Sequence, residues 1–260
     1  MTTSRQRRLL AFDLDDTLAV TKSPISGDVA DLLGRVLSTY DVCVISGGAF
    51  AQFKTQVVDR LHVDDQHLTR LHLMPTSGTR YFRFDEASSS WVQQYAEGLS
   101  NAEKETVIEV LTEGAKELGL WEASPHGDII EDRGSQVTFS ALGQDAPAEL
   151  KYAWDKDGKK KEALRKYAAD RLAKLSVRAG GSTSVDVTRK GIDKAYGMRR
   201  LMEVLGLDTS DILFFGDQLD EGGNDFPVKS TGIDTIAVRD STDTALALQV
   251  ILAISKHSAG

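Results

Sequence analysis

The stretch LLAFDLDDTLAV, from Leu9 to Val20, joins a short apolar run to three aspartates, Asp13, Asp15 and Asp16. The run LLAF has the composition of a buried strand, and in an open parallel sheet ligands bind beyond the carboxyl ends of the strands. Carboxylates that lie close together repel one another unless a cation neutralises them, and hard oxygen ligands suit Mg²⁺. The stretch therefore predicts a magnesium site after the first strand. The alternative is that one aspartate caps the next helix while the others are solvated.

Strand-like and helix-like segments alternate toward both ends of the chain. After the aspartates, SGDVADLLGRVLSTY predicts a helix, DVCVISGG a second strand that ends in a glycine turn, and AFAQFKTQVVDRLHV another helix. Toward the C-terminus, KAYGMRRLMEVLGL and TDTALALQVILAIS predict helices, and DILFFGD and DTIAVRD predict strands. This alternation is typical of βα units, so we expect an α/β fold with a parallel sheet built from both ends of the chain.

The middle of the chain has a different pattern. TSGTRYFRFDEASSSWVQQ is rich in Ser, Thr and charge, which suits a crossover or the edge of an inserted domain. Two helical segments, SNAEKETVIEVLTEGAKELGL and DGKKKEALRKYAADRLAKL, and the strand-like DIIEDRGSQVTFSALG and GSTSVDVT follow it. Helices on a small antiparallel sheet form an α+β module. We therefore expect a core from residues 1–87 and 187–260, and an inserted α+β domain over residues 88–186.

Three further motifs carry polar residues at predicted strand or helix ends. VISGG ends the second strand in a turn whose hydroxyl and N–H groups could hold a phosphate oxygen. GIDKAYG places a lysine at the start of a helix, where the helix dipole disfavours a cation, and FFGDQLDEGGND follows a buried strand with an acidic, glycine-rich loop. Each motif alone also fits an ordinary Ser-Gly turn, a surface lysine or a solvated loop. The candidate residues are Ser46, Gly47, Lys194, Asp217, Asn224 and Asp225.

Together and in this order, the four motifs resemble those of the haloacid dehalogenase (HAD) phosphotransferase superfamily. DLDDT is similar to its D-x-D-x-T motif and GDQLDEGGND to its final acidic motif. The spacing of GGND after FFGD, and the segment GGSTSVDV, are most similar to the eukaryotic-type phosphomannomutase branch. The resemblance implies a Rossmann-like core with a C2-type cap inserted between the second and third motifs. Asp16 is a departure, because many relatives have glycine there.

The resemblance also implies a covalent mechanism. Asp13 would attack phosphorus in line and become an aspartyl-phosphate. Asp15 would protonate the leaving oxygen and then deprotonate the incoming hydroxyl or water. The Mg²⁺ ligands would be Asp13, the backbone carbonyl of Asp15, Asp217, and Asn224 or Asp225 directly or through water. The residues that bind the transferred phosphoryl group would be Ser46, Gly47 and Lys194.

The cap would decide the substrate. In the phosphomannomutase branch, cap arginines hold the distal phosphate of a bisphosphorylated sugar, and Arg133 matches one such position. Ser184 and Asp186 match cap-strand residues that contact the sugar phosphate, but Gln144 and Lys151 replace arginines. Because Gln144 is neutral and Lys151 lacks the bidentate fork of arginine, the second phosphate would be held less firmly.

The weakened cap favours hydrolysis. We therefore expect a Mg²⁺-dependent HAD phosphatase that acts on a small phosphorylated metabolite. A sugar phosphate is the expected substrate class. The close alternative is a phosphomannomutase, which is a hexose phosphate mutase. A catalytically silent sugar-phosphate binder is less favoured, because both Asp13 and Asp15 are present.

Composition limits the partners. A formal net charge of -8 argues against a general binder of nucleic acid or anionic membrane. Cys43 is the only cysteine, which excludes an intrachain disulfide and favours a reducing, cytoplasmic location. We find no apolar run of the length of a signal-peptide core or a membrane span, and whether the protein is a homodimer stays open.

Histidines and tryptophans are predicted to be structural. His62, His67 and His72 lack the i, i+4 spacing of a zinc-binding helix, so we expect surface or capping residues. Trp91 and the other two tryptophans all fall in the proposed cap, where packing is the expected role.

Overall fold

The computed structural model describes residues 7–255, which form two compact units. The core unit comprises residues 7–95 and 193–255, and the inserted unit comprises Ala96–Ile192. The strands are β1 (Leu9–Phe12), β2 (Asp41–Ile45), β3 (Leu71–Met74), β4 (Arg80–Asp85), β5 (Ser90–Ala96), β6 (Ile130–Asp132), β7 (Gln136–Ser140), β8 (Leu175–Ala179), β9 (Ser184–Arg189), β10 (Ile212–Gly216) and β11 (Asp234–Ala237). The helices are α1 (Gly27–Leu37), α2 (Phe50–Gln56), α3 (Asp65–Leu68), α4 (Pro75–Gly78), α5 (Asn101–Glu117), α6 (Ala148–Trp154), α7 (Lys159–Arg171), α8 (Lys194–Leu205), α9 (Phe226–Lys229) and α10 (Ser241–Ser255).

A seven-stranded sheet forms the centre of the core unit, in the order β11-β10-β1-β2-β3-β4-β5. The first five strands in this order are parallel, and β4 runs antiparallel to β3. The strand β1 lies between β10 and β2, with Phe12 in register with Phe215 on one side and Val44 on the other. Helices cover both faces of such a sheet, which explains why LLAF is continuously apolar and no more than 1% exposed. The predicted α/β fold with a parallel sheet is confirmed.

The helix α1 shows how local sequence defines the elements of the core unit. Ser26 precedes it, and its hydroxyl accepts the N–H of Val29 at 3.3 Å, which satisfies one of the free N–H groups of the first turn. Its apolar residues recur at helical spacing, so that Leu33 and Val36 are fully buried against the sheet.

The inserted unit has a four-stranded antiparallel sheet in the order β6-β7-β9-β8. The helices α5 and α7 pack against it through an apolar cluster that includes Val107, Leu164 and Phe139. The helix α5 begins with a capping box, in which Ser100 and Glu103 bind each other's backbone N–H groups. This is the α+β module that the sequence predicts, with β8 and α6 as additional elements that the sequence pattern did not indicate.

The inserted unit begins later than residue 88. The Ser- and Thr-rich segment interpreted as a crossover contains the hairpin of β4 and β5, which extends the core sheet. Its turn is closed by Asp85, whose carboxylate accepts the N–H of Ser88 at 3.0 Å. At the other end, β9 stays paired with β8 as far as Arg189, opposite Leu175, so this unit also extends beyond residue 186. Ser and Thr marked a turn here, rather than a domain boundary.

Two predictions about single residues are wrong. His72 is not a surface residue: it lies on β3, is 2% exposed, and its Nδ1 is 2.7 Å from the hydroxyl oxygen of Tyr81. Trp91 belongs to the core unit, where its ring contacts those of Phe50 and Phe84. Both errors arise from the missed strands β3 to β5. Within residues 7–255, we find no helix with the length and apolar character needed to cross a membrane.

Candidate active site

Four charged side chains of the core unit converge beyond the carboxyl ends of β1 and β10. Asp13 follows β1, Asp217 follows β10, and Asp225 ends the glycine-rich loop after Asp217. One carboxylate oxygen from each lies within 4.8 Å of the other two. Nζ of Lys194 is 2.7 Å from Oδ1 of Asp13 and 2.5 Å from Oδ1 of Asp225. The fold thus brings together residues from both ends of the chain.

The acidic loop folds back onto β10 because Gly216 has no side chain. A Cβ atom at Gly216 would lie 2.5 Å from Oδ2 of Asp225, which no ordinary contact allows. The N–H of Gln218 donates to the same oxygen at 3.1 Å, and the N–H of Asp225 donates to the carbonyl of Gln218 at 3.2 Å. The carboxylate of Asp225 is therefore fully buried and held in a fixed orientation.

Lys194 is the first residue of α8. The preceding Asp193 caps the helix, since its carboxylate accepts the N–H of Tyr196 at 2.8 Å. Lys194 is 2% exposed, and its ammonium also donates to Oδ1 of Asn224 at 3.3 Å. The unfavourable helix dipole is offset by the two carboxylates in contact with the ammonium.

Electrostatics of the cluster follow from burial and mutual contact. Burial would lower the pKa of Lys194, but attraction to Asp13 and Asp225 outweighs it and raises that pKa above its ordinary value. Burial raises the pKa of Asp13 well above its ordinary value against the opposing effect of Lys194, and repulsion from Asp225 and Asp217 adds to the rise. Burial and then Asp225 also raise the pKa of Asp217. The cluster has more negative charge than one ammonium can stabilise.

A divalent cation fits this cluster. Its donors are carboxylate oxygens, within 4.8 Å of one another, and burial together with repulsion from neighbouring carboxylates raises the pKa values of Asp13 and Asp217. Hard cations such as Mg²⁺ prefer such ligands. Of the two loop residues that the sequence left open, Asp225 lies in the carboxylate cluster, whereas the side chain of Asn224 contacts Lys194.

Asp15 lies in a different environment from Asp13. Its Oδ1 accepts the N–H of Lys22 at 2.8 Å, and Nζ of Lys22 is 3.5 Å from its Oδ2. Two glutamine side chains of α2, Gln52 and Gln56, donate to the same carboxylate. Burial acts to raise the pKa of Asp15, but the charge of Lys22 and hydrogen bonds from Lys22 and Gln56 outweigh it, so the pKa lies below its ordinary value. Asp15 is therefore a carboxylate at neutral pH.

Several polar residues of the site were not predicted from the sequence. The hydroxyl of Thr17 donates to Oδ1 of Asp217 at 3.2 Å, and its carbonyl accepts the hydroxyl of Thr244 at 2.7 Å. Thr17 is the threonine of DLDDT, so the motif itself was a sufficient signal. Lys22, Gln52 and Gln56 were also missed. The i, i+4 spacing of the two glutamines, directly after the glycine turn, was the available sign that they share a helix face.

Ser46 and Gly47 lie at the carboxyl end of β2, beside β1 in the sheet. The hydroxyl oxygen of Ser46 accepts the N–H of Gly48 at 3.3 Å, which closes the predicted turn. The carbonyl of Ser46 accepts the N–H of Ser77, at 3.0 Å, in the turn after β3. Thr76 and Ser77 both have left-handed backbones, with φ of 50° and 55°. Such strain in residues other than glycine is typical of functional sites.

Three of the predicted cap residues form a cluster in the inserted unit. Nη2 of Arg133 donates to Oε1 of Gln144 at 3.2 Å, and Nζ of Lys151 donates to the carbonyl oxygen of Gln144 at 2.7 Å. Arg133 and Lys151 are only 6% and 4% exposed. Nη2 of Arg133 also lies 2.7 Å from Oε2 of Glu131 in an ion pair. Two buried cationic side chains thus converge on the residue whose neutrality suggested a weak cap.

The remaining two predicted cap residues, Ser184 and Asp186, lie two positions apart and therefore on one face of β9. Oδ1 of Asp186 accepts the hydroxyl of Thr138 on β7 at 2.8 Å. Ser184 is in register with Ser140 at the end of β7.

A model of the eukaryotic phosphomannomutase family matches residues 29–254, which include the whole inserted unit. The chain belongs to the eukaryotic phosphomannomutase family. Membership over this span confirms the resemblance found in the motifs, and with it the assignment to the HAD superfamily.

Phosphomannomutase relatives match over most of their length. The probable phosphomannomutase of Caenorhabditis elegans is 24% identical over 227 residues, 85% of this chain and 86% of that protein. Phosphomannomutase 1 of Homo sapiens is 24% identical over 251 residues, 91% of this chain and 90% of that protein.

Two solved structures share the fold of this phosphomannomutase family member. A haloacid dehalogenase-like hydrolase of Bacteroides thetaiotaomicron superposes with a TM-score of 0.62 at 16% identity, over 95% of this chain and 100% of that chain. N-terminally truncated, IMP-bound IMP-nucleotidase of Plasmodium falciparum gives a TM-score of 0.68 at 14% identity, over 95% of this chain and 68% of that chain. At such identities the likeness concerns the fold alone. Family and fold together make the protein a phosphotransferase of HAD type.

Proposed function

We propose that this protein is a Mg²⁺-dependent hexose phosphate mutase of the phosphomannomutase kind. The observation that carries this proposal is the convergence of Arg133 and Lys151 on Gln144, both buried, in the inserted unit. A mutase must bind a sugar with two phosphates, and so it needs a second anion site besides the one at the nucleophile. Lys151 places a cationic side chain beside the neutral Gln144, which the sequence pattern marked as the weak point of the cap. The family match through the inserted unit supports the same function.

Asp13 would be the nucleophile. Its carboxylate oxygen would bond to phosphorus while the bond between phosphorus and the sugar oxygen breaks, giving an aspartyl-phosphate. Asp15, once it has taken up a proton from solvent, would give that proton to the leaving oxygen. In the reverse step its carboxylate would remove the proton from the sugar hydroxyl that takes the phosphoryl group back. Lys194, together with Ser46 and Gly47, would bind the phosphoryl oxygens.

The metal would be held by Asp13, Asp217 and Asp225, with the backbone carbonyl of Asp15 as a further ligand. When bound, Mg²⁺ would supply positive charge to the phosphoryl oxygens and relieve repulsion among the carboxylates. The lowered pKa of Asp15 makes the carboxylate its resting form, which is the form that can accept a proton. Ser184 and Asp186 would contact the sugar phosphate, as the resemblance implies.

Hydrolysis is the second candidate, and one contact favours it. The guanidinium of Arg133 is already paired with Glu131, so a distal phosphate must compete with that carboxylate. Weak retention of the bisphosphate would let water take the phosphoryl group from Asp13 before the sugar returns. The sequence alone favoured this reaction, whereas the family match and the position of Lys151 favour the mutase.

Products of one reaction decide between the two functions. Enzyme with Mg²⁺, a hexose 1-phosphate and a trace of hexose 1,6-bisphosphate is followed by phosphorus NMR. We expect hexose 6-phosphate as the main product, with little inorganic phosphate.

Lys151→Ala should raise the share of inorganic phosphate, since a charge-assisted contact contributes roughly 1.5 to 3 kcal/mol, about tenfold or more in retention. Lys166→Ala, at an exposed lysine of α7, is the control and should leave the product ratio unchanged. Inorganic phosphate as the main product of the unmodified enzyme would overturn the mutase proposal.

A further inference from the structure

The side chain of Asp15 receives hydrogen bonds on both oxygens from one short helix. Nε2 of Gln52 donates to Oδ2 of Asp15 and Nε2 of Gln56 donates to Oδ1, each at 3.3 Å. The two glutamines are four residues apart on α2, so both amides leave the same face of the helix. A carboxylate bonded on both oxygens is restrained from rotating about its own axis.

The orientation of the Gln56 amide indicates that its donor group is required. Gln56 is 2% exposed, and its Nε2 also donates to the carbonyl of Ser23 at 2.6 Å. Both partners of Nε2 are pure acceptors, so the amide cannot be turned round without losing both bonds. As a result Oε1 of Gln56 is buried without a hydrogen-bond partner among residues 7–255. Leaving a buried polar atom unpaired costs free energy. The two hydrogen bonds from Nε2 to Asp15 and Ser23 offset this cost.

Gln52 is held at both ends of its amide. Its Oε1 accepts a hydrogen bond from Nζ of Lys22 at 2.8 Å while its Nε2 donates to Asp15. The amide passes over Gly48, where a Cβ atom would lie 2.4 Å from Oε1 of Gln52. Lys22 adopts a left-handed backbone with φ of 57°, and its N–H points at Oδ1 of Asp15. The turn after β2 and the loop after β1 are thus both shaped around one carboxylate.

We propose that Gln52 and Gln56 are positioning residues that orient the carboxylate of Asp15 for proton transfer. The inference rests on the proposed role of Asp15 as the acid and base of phosphoryl transfer. Proton transfer requires a carboxylate oxygen within hydrogen-bond distance of the sugar oxygen, and small errors in position lower the rate strongly. The two amides keep that oxygen in place, and they contact neither phosphorus nor the sugar in this role.

Leaving-group dependence tests the proposal, because a phenolate leaves without a proton and a sugar alkoxide does not. Single-turnover rates are measured with enzyme in excess, Mg²⁺ present, and either hexose 1,6-bisphosphate or 4-nitrophenyl phosphate as the phosphoryl donor. Gln52→Met and Gln56→Met, which keep the side-chain length and remove the donors, should lower the rate with the bisphosphate by roughly 10- to 100-fold. The rate with the aryl phosphate should change by less than about threefold, since no proton transfer is needed to release the phenolate.

Two comparisons separate the possible outcomes. Gln66→Met, at an exposed glutamine of α3, is the matched control and should leave both rates unchanged. Gln52→Met keeps the contact of Gln56 with Ser23, so it stays informative where Gln56→Met unfolds. Equal losses on both substrates would mean that the glutamines have a merely structural role and would overturn the inference. If Asp15→Asn itself lowers both rates equally, the proposed acid-base role of Asp15 fails, and the inference fails with it.

Discussion

Gly78 and Gly197 approach each other so closely that a Cβ atom at Gly78 would lie 2.4 Å from the Cα atom of Gly197. Gly78 ends the left-handed turn after β3, with φ of 82°, and Gly197 lies in the first turn of α8. The turn that is bonded to Ser46 is therefore in backbone contact with the helix that carries Lys194. A side chain at either glycine would push the turn and the first part of α8 apart, and Lys194 lies in that part of the helix.

Gly197→Ala should displace α8. The new Cβ would lie 2.5 Å from Cδ1 of Ile45 and 2.7 Å from the carbonyl oxygen of Ser77. Because that oxygen belongs to the backbone, it cannot move away by a change of side-chain rotamer. We expect a loss of about 1–3 kcal/mol in the free energy of unfolding, from overpacking, and a loss of activity above about tenfold because Lys194 moves. Denaturant unfolding and turnover measure the two effects. Gly27→Ala is the control, because a Cβ atom at this helical glycine would meet no other described part of the chain within 4 Å, and it should be neutral or slightly stabilising. Unchanged stability and turnover in Gly197→Ala would contradict the role given to this contact.

Asp217→Asn should abolish stabilisation by Mg²⁺. In the unmodified protein, Mg²⁺ at about 100 times its dissociation constant should raise the free energy of unfolding by about 2.7 kcal/mol. The variant keeps an oxygen that can accept the hydroxyl of Thr17 but removes one of three mutually repelling carboxylates. Without metal it should be at least as stable as the unmodified protein. Thermal unfolding with Mg²⁺ and with chelator measures both, and Asp220→Asn, at an exposed residue of the same loop, should respond to Mg²⁺ normally. Full activity of the unmodified protein after thorough chelation would contradict the metal site.

Lys194→Met should remove both stability and activity. It leaves the buried carboxylates of Asp13 and Asp225 without their shared ammonium, and the loss of one partner from a buried ion pair is worth about 3–5 kcal/mol. Chemical denaturation measures the loss. Lys229→Met, at an exposed lysine of α9, should change the free energy of unfolding by less than about 0.5 kcal/mol. A folded Lys194→Met protein with normal stability would mean that the ammonium does not compensate these carboxylates.

His72 should make the fold sensitive to mild acid. Burial lowers its pKa to about 4, an effect that nearby Asp41 opposes and Arg83 and Arg70 reinforce, while the unfolded value is about 6.5. Between these two values the unfolded chain binds a proton that the folded chain does not, so the free energy of unfolding falls as the pH falls. The loss reaches about 3 kcal/mol at pH 4. His72→Asn, which does not titrate, should remove this part of the pH dependence.

Denaturant unfolding at pH 7 and pH 4 measures the difference between the His72 variant and the unmodified protein. His62→Asn, at an exposed histidine, is the reference and should show the pH dependence of the unmodified protein. If His72→Asn and the unmodified protein lose stability in parallel, another group is responsible for the acid sensitivity.

Sequence patterns predicted those parts of the molecule that depend on local order. The strand LLAF, the helix of Lys194 and the strand before Asp217 each have a periodicity and flanking residues that suffice to recognise them. Because parallel strands align their carboxyl ends, the same patterns also brought Asp13 and Asp217 to one edge of the sheet. The roles given to these residues in phosphoryl transfer stay predictions.

The features that could not be predicted depend on contacts between different elements of the fold. The hairpin of β4 and β5 extends the core sheet through pairing with β3, and the serines of its turn resembled a crossover. His72 is polar by type, and only the hydroxyl of Tyr81 across the sheet accounts for its burial. The glutamines of α2 were not recognised because their partner, Asp15, lies in the loop after β1. In each case the deciding partner lies on another element of the fold, and the residue's immediate neighbours in sequence do not reveal it.

The central position of β1 determines when this enzyme can become active during synthesis. One edge of β1 pairs with β2, Leu9 opposite Asp41, and the other with β10, Leu9 opposite Ile212. While the ribosome makes the inserted unit, whose strands pair only with one another in the described part of the chain, the second edge of LLAF stays open to other chains. Asp13 acquires its ammonium and its partner carboxylates only when Lys194, Asp217 and Asp225 have emerged. A nascent chain that stops before residue 212 is therefore inactive and prone to aggregation, although its inserted unit has all of its own strands.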